Sequence, residues 1–220
     1  MKASLRNLQI CTALFVVSIV MANVLAIDTI ALPFQIFGVT CTIPGSAPCY
    51  FVSYLMSSVI LEIYNKQEAV NSVVAGNFAQ ITAVTLSYIT LMLPAADPEV
   101  AASASTILSS SGIFTIAGLV AYNVSQVINI NMFQLLNKRF SQDYQRWVCS
   151  TGALLVSQFF DTTVFISLGY GIGVGWRHGE QLTQLLVMMI CHYVLKLLVI
   201  VVDAPFFMLL TRATKEDKYA

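Results

Sequence analysis

The sequence predicts an all-α integral membrane protein of six transmembrane helices, in a single domain over residues 1–220 with both termini cytoplasmic. Three observations carry this. Of 220 residues, 57% are hydrophobic and only 10% charged, where a soluble domain carries about 25% charged residues. Apolar runs of about 20 residues recur along the chain, the length that crosses a hydrocarbon core of about 30 Å as a helix. The third is the placement of the basic residues. Lys2, Arg6, Lys66, Lys138, Arg139, Arg146, Arg212, Lys215 and Lys218 fall on one side of such a path, Arg177 alone on the other, and Lys196 inside the last span. By the positive-inside rule the crowded side is cytoplasmic. A formal net charge of zero without long basic runs argues against a nucleic-acid partner, and no cofactor is expected.

The first span runs from Leu8 to Asp28. Lys2 and Arg6 ahead of an apolar core, with Val24 and Ala26 at cleavage spacing, also fit a signal peptide. Cleavage would leave five spans with one end against the charge rule, so the segment is read as a span. The second covers Ala47–Tyr64, the third Ala69–Leu93, the fourth Ile113–Leu136, the fifth Trp147–Tyr170 and the sixth Leu182–Leu210. Their pattern is helical or uniformly apolar, unlike the short alternating segments of a β-barrel. Halves of three spans enter the membrane from opposite sides, which permits an inverted repeat with a binding site near the midplane. Among the cysteines, Cys41 and Cys49 share an outer loop. They either pair in an oxidising compartment or stay as two free small residues, the second being the simpler reading. No zinc-binding spacing occurs.

The expensive residues are concentrated. Asp161 lies 14 residues beyond Trp147, about 21 Å into its helix, and Lys196 lies 14 residues beyond Leu182. Both are deep and at similar depth, and each costs roughly 2.5–3.5 kcal/mol to insert. A pair between the fifth and sixth helices offsets much of that, either as a structural tie or as the border of a polar cavity. Asp203 follows Lys196 two turns along the same face, just before Pro205, which removes a backbone hydrogen bond and is expected to kink the helix. Glu62 ends the second span, with Lys66 at i+4 as an interfacial partner. The fourth span adds amides: Asn123, Gln126 and Asn129 form a stripe, with Asn131 beyond, and Gln158 stands one turn before Asp161. In lipid such amides glue helices. With a carboxylate and a lysine added, they suggest a polar site for a neutral, hydrogen-bonding solute.

Several signatures are decoys. "GYGIGVG" resembles a potassium filter, but a filter needs a pore helix and fourfold assembly; here it ends a helix. Asp161 and Asp203 could share a proton as an aspartyl dyad, yet Asp203 sits at the far end of its span. His192, one turn before Lys196, is either a packed interhelical donor or a lining residue of the same cavity.

Together these residues resemble the queuosine precursor transporters, also called the vitamin-uptake family. The pieces are "ANVLAI", "CYFVSYLMSSVILEIYNK", "SQVININMFQLLNK", "STGALLVSQFFDTTVFISLGYG" and "HYVLKLLVIVVDAPFFML". The most specific is Ser157-Gln158-x-x-Asp161-Thr162-x-x-Phe165, with Ser150 and Thr151 ahead of it and Lys196 and Asp203-x-Pro205 after. The resemblance implies a multi-pass protein of the cytoplasmic (inner) membrane, not an enzyme. It implies uptake of a 7-deazaguanine for salvage of the tRNA nucleoside queuosine: the cyano or aminomethyl precursor, or queuine. The implied partners are that small molecule and the lipid bilayer; a homo-oligomer is compatible. The family is also similar to the binding subunits of energy-coupling-factor importers, but no energising ATPase module is expected. Two alternatives stay open. One is such a binding subunit for another vitamin, docking through Ala22-x-x-x-Ala26; the other is an intramembrane enzyme.

Asp161 suits this substrate class. A deazaguanine presents a ring N–H beside an exocyclic amine, and a carboxylate accepts both in charge-assisted bonds. Asp161 is expected to read that face, or to orient the lysine that does. Asn123, Gln126 and Gln158 would meet the carbonyl and ring nitrogens, with Asn129, Glu62 and Asp203 as further candidate substrate residues and Phe160, Phe165, Tyr122 and Tyr193 as stacking partners. The chain departs from the family pattern at Asp28, where a lysine is common, and at Ser58 and Leu61, where aspartate and threonine are common. A charge pair lost there would leave a wider or less charged pocket, which favours queuine.

Overall fold

The computed structural model describes residues 4–36, 38–139, 146–176 and 178–219; the side chains at 66, 126, 129, 130, 133, 134, 137–139, 146–151, 204, 208 and 212–219 lie outside the description. Among the described residues six α-helices occur: α1 (Leu5–Leu25), α2 (Ala47–Ile63), α3 (Lys66–Met92), α4 (Pro98–Arg139), α5 (Arg146–Ile166) and α6 (Glu180–Tyr219). Between α1 and α2 stands a two-stranded hairpin, β1 (Thr29–Ile36) and β2 (Val39–Pro44). After α5 comes a π-helical segment, Ser167–Val174. The expectation of an all-α chain is thus corrected by the hairpin. Among the described residues five stretches are long and apolar enough to cross a membrane: Leu5–Leu25, Gln67–Met92, Pro98–Ser125, Gly152–Val174 and Glu180–Thr211. The second expected span, α2, is a shorter apolar helix of 17 residues. The fourth helix begins at Pro98 rather than Ile113. Lys2 and Arg177, used for the orientation, lie outside the described residues.

Local chemistry sets several helix ends. Ser4 caps α1 by accepting from the Asn7 N–H at 3.2 Å, satisfying one of the donors a helix start leaves open. Asn65 caps α3 by accepting from the Glu68 N–H at 3.0 Å, with Glu68 in the first turn. That cap breaks the chain between α2 and α3. Glu62 and Lys66 therefore fall on either side of a helix break, and the expected pairing itself lies outside the described residues, as does the Lys66 side chain. Asp97 starts α4 by accepting from the N–H groups of Glu99 and Val100, ahead of Pro98, whose missing donor is harmless at that position. The π segment stops at Gly175, whose φ of +88° is a left-handed conformation suited to glycine. "GYGIGVG" does end a helix. Pro205 lies inside α6.

The chain forms two compact units. The first comprises Met1–Thr29, Pro44–Gly112 and Leu198–Ala220. Its core packs Cys11 and Phe15 of α1 against Leu55, Met56, Val59, Ile60 and Ile63 of α2, with Phe207 and Leu210 of α6 alongside. The α2 positions recur at helical spacing and define its packed face. Polar ties join α1 to α3: Thr12 and Ser72 hydroxyls meet at 2.9 Å, and the Asn23 amide donates to the Gln80 carbonyl at 2.6 Å. The two contacts advance together along both helices, so α1 and α3 run parallel, as an up–down–up arrangement requires.

The second unit comprises Ile30–Ile43 and Ile113–Leu197. Phe114 is wholly buried, 5.0 Å from the Tyr170 ring and 6.0 Å from the Phe165 ring, centroid to centroid. Gly169 makes room for this: a Cβ there would stand 2.8 Å from Phe114. Large apolar side chains such as Phe78, Ile116, Val201 and Leu209 are more than half exposed. A soluble protein avoids that much outward apolar surface; a bilayer absorbs it. This is a multi-pass helical membrane protein.

Candidate functional site

The centre of the second unit is an ion pair. Lys196 Nζ of α6 donates to Asp161 Oδ2 of α5 at 2.5 Å. The lysine side chain is 1% exposed and the aspartate 20%. The two helices run antiparallel there, since one turn onward along α5 is answered one turn back along α6: Phe165 faces His192 at 6.5 Å between rings. Tyr193 adds two ties, packing edge-on to Phe159 at 5.7 Å and donating its hydroxyl to the Leu155 carbonyl at 3.2 Å. The pair the sequence led us to expect is present.

Its asymmetry sets its chemistry. Lys196 has given its ammonium to the interior, where an unpaired charge is costly. Asp161 keeps a fifth of its side chain open, and Lys196 is its one polar partner among the described residues. The second carboxylate oxygen therefore retains its acceptor capacity toward a donor arriving from outside. Thr162, the next residue, buries its hydroxyl with no partner among the described residues. A buried hydroxyl in that state costs about 1–3 kcal/mol. Phe165, fully packed, forms a hydrophobic floor one turn from Asp161.

The remaining expected residues divide. Gln158 is half-buried one turn before Asp161. Asn123 lies in the same unit but is exposed, and its amide donates to the Leu119 carbonyl of its own helix at 2.7 Å. Gln126 and Asn129 sit on α4 with side chains outside the described residues. Glu62 and Asp203 belong to the first unit. Glu62 shares an exposed stripe of α2 with Ser58 and Leu61, away from that helix's packed face. Asp203 is 8% exposed, and neither carboxylate oxygen has a partner among the described residues. Phe160 is exposed, and Tyr122 is half-buried. Asp28 lies in the turn after α1, its carboxylate accepting from the Thr29 N–H at 2.9 Å.

Sequence reasoning missed two features. One is the buried Asn23–Gln80 amide pair, which was visible only as single polar letters in two apolar runs. The other is the disulfide: Cys41 of β2 bonds Cys191 of α6, and Cys49 is free. This corrects both readings of Cys41, as partner of Cys49 and as free thiol. Among the described residues no group of three His, Cys, Asp or Glu side chains is placed to hold a metal ion.

The family model described as "Putative vitamin uptake transporter" matches residues 44–210, well over half of the chain. A curated relative is the "Probable queuosine precursor transporter" of Bacillus subtilis (strain 168), 23% identical over 192 residues, covering 85% of this chain and 77% of that protein. No solved structure matches. A membrane protein with a buried ion pair between its last two spans, matched over this length, belongs to the vitamin uptake transporter family.

Proposed function

We propose that this chain takes up a 7-deazaguanine queuosine precursor across the cytoplasmic membrane, as a single six-helix domain with both ends in the cytoplasm. The observation that carries the reading is the Asp161–Lys196 pair, buried on the lysine side and open on the aspartate side. The free oxygen of Asp161 accepts one donor of the base's N–H and amine edge, and Oδ2 is shared between the second donor and Lys196. Gln158, one turn away, completes the polar edge. A base lacking that two-donor edge leaves the carboxylate short of a bond and is rejected by the cost of that loss. The name of the Bacillus subtilis relative, a probable queuosine precursor transporter, is in keeping with this class.

The binding-subunit alternative loses its docking argument. Ala26, one of the two small residues invoked, is 0% exposed, so the chain itself already covers it. The protease alternative loses its dyad, because Asp161 is paired with a lysine rather than a second carboxylate.

The test uses bacteria that neither make nor import queuosine precursors but carry the enzymes that use each base. The chain is expressed, the cyano base, the aminomethyl base and queuine are fed separately at nanomolar level, and queuosine is measured in tRNA. Restoration by the wild type, lost in Asp161→Asn at matched membrane abundance, is the expected outcome. The base that works names the substrate. Correct insertion with no restoration by any base would sink the proposal.

A further inference from the structure

The hairpin is anomalous for a membrane protein. A strand edge facing lipid leaves backbone donors and acceptors unmet, so non-helical backbone is tolerated at depth only against protein or a polar cavity. β1 is mostly exposed, but the end of β2 is buried on both faces, with Cys41 at 0%, Thr42 at 7% and Ile43 at 5%. Cys41 is covalently joined to Cys191, Cα to Cα 6.4 Å, across a sequence separation of 150. Cys191 precedes the wholly buried His192 and stands five residues before Lys196, about 7.5 Å along the helix axis. Strand, disulfide, histidine and ion pair all belong to the same compact unit.

We propose that Cys41–Cys191 is a positioning bond for the ion-pair site. It fixes β2 against the helix that carries Lys196, so that the site keeps one shape before substrate arrives. This rests on the transport reading above. Holding a wall in its bound position removes an ordering cost that binding would otherwise bear. The bond is also a point of redox control. A dithiol reductant breaks the one S–S bond, delivering two electrons and two protons to the sulfurs of Cys41 and Cys191, and leaves as its own cyclic disulfide.

Three measurements on the full chain test it, with Cys41→Ala, Cys191→Ala and the double variant. First, maleimide labelling under denaturing conditions: prior reduction adds two labels to the wild type and none to the double variant. Second, hydrogen exchange at β2: cutting the bond by dithiol or by substitution speeds exchange at residues 39–43. Third, uptake of the deazaguanine that restores queuosine. Each single variant and the reduced wild type raise KM about tenfold, equivalent to about 1.4 kcal/mol. Vmax per inserted molecule holds, the double variant is no worse than either single one, and dithiol leaves it unchanged. A packing role alone would lower the amount inserted and leave KM where it was. An absence of extra labels after reduction, unchanged exchange at β2, or an unchanged KM with the bond cut would each overturn the proposal. If the wild type takes up no deazaguanine, the transport reading falls, and labelling and exchange still decide whether the bond holds the strand.

Discussion

Replacing Asp161 by Asn is expected to destabilise the protein more than replacing Lys196 by Met, although both break the same bond. The reason is the asymmetry of exposure, 1% for the lysine and 20% for the aspartate. Asp161→Asn leaves the interior ammonium without its counter-charge. Removing one partner of a buried pair costs about 3–5 kcal/mol, and this variant takes the upper part of that range. Lys196→Met leaves instead a carboxylate that reaches solvent or headgroups with a fifth of its surface. The loss is then nearer the roughly 1–3 kcal/mol of an unmade hydrogen bond. The double variant removes both charges, and exchanging a buried pair for neutral groups is often close to neutral. The coupling energy should therefore reach at least about 2 kcal/mol, well outside the additivity of independent sites. Reversible unfolding in mixed micelles, followed by circular dichroism on the four proteins, reads all three quantities. The reasoning is refuted if Lys196→Met costs as much as Asp161→Asn, or if the singles add to within about 0.5 kcal/mol.

Further outcomes follow from other contacts. Gly169→Ala drives a methyl to 2.8 Å from the wholly buried Phe114; overpacking of that kind costs about 1–3 kcal/mol, and a lowered melting temperature in detergent checks it. Asn23→Leu removes the 2.6 Å amide bond to Gln80 and should cost about 0.6–2 kcal/mol, the span measured for interhelical polar contacts; Gln80→Leu in the same background should add little. Asp97→Ala strips the cap from the Glu99 and Val100 donors, losing about 1 kcal/mol. Faster amide exchange confined to the first turn of α4 is the readout.

What was legible in the sequence was the part governed by transfer energy. Charges are so costly in lipid that Asp161 and Lys196, at matched depths, had few alternatives to each other. The apolar runs were legible for the same reason. The start of α4 was not, because "EVAASASTILSSSG" is too rich in serine and alanine to stand out by hydropathy. The Asp97 cap, a local signal, marks it instead. The hairpin was illegible because its burial comes from tertiary contact: β1 and β2 carry similar letters, yet only β2 is covered. The disulfide depended on that same fold, since 150 residues separate its ends and the sequence left Cys41 either free or paired with its neighbour Cys49. Asn123 shows what spacing leaves open. Helical spacing puts its amide on a stripe with Gln126 and Asn129, and in the fold that amide donates to the Leu119 carbonyl of its own helix. Spacing assigns a face; it does not say how a polar group on that face is spent.

The length of α2 has a consequence for the lipid. Seventeen residues rise about 25 Å, some 5 Å less than an average hydrocarbon core. Set across a bilayer, so short a helix draws the two leaflets together around it, at a fraction of a kcal/mol per ångström. Its neighbours are longer and can tilt to fit a thin membrane, whereas α2 has no way to stretch into a thick one. As a sixth span, the shortest helix would set the membrane thickness this protein prefers. Acyl-chain length, as well as headgroup charge, belongs among the variables of any reconstitution.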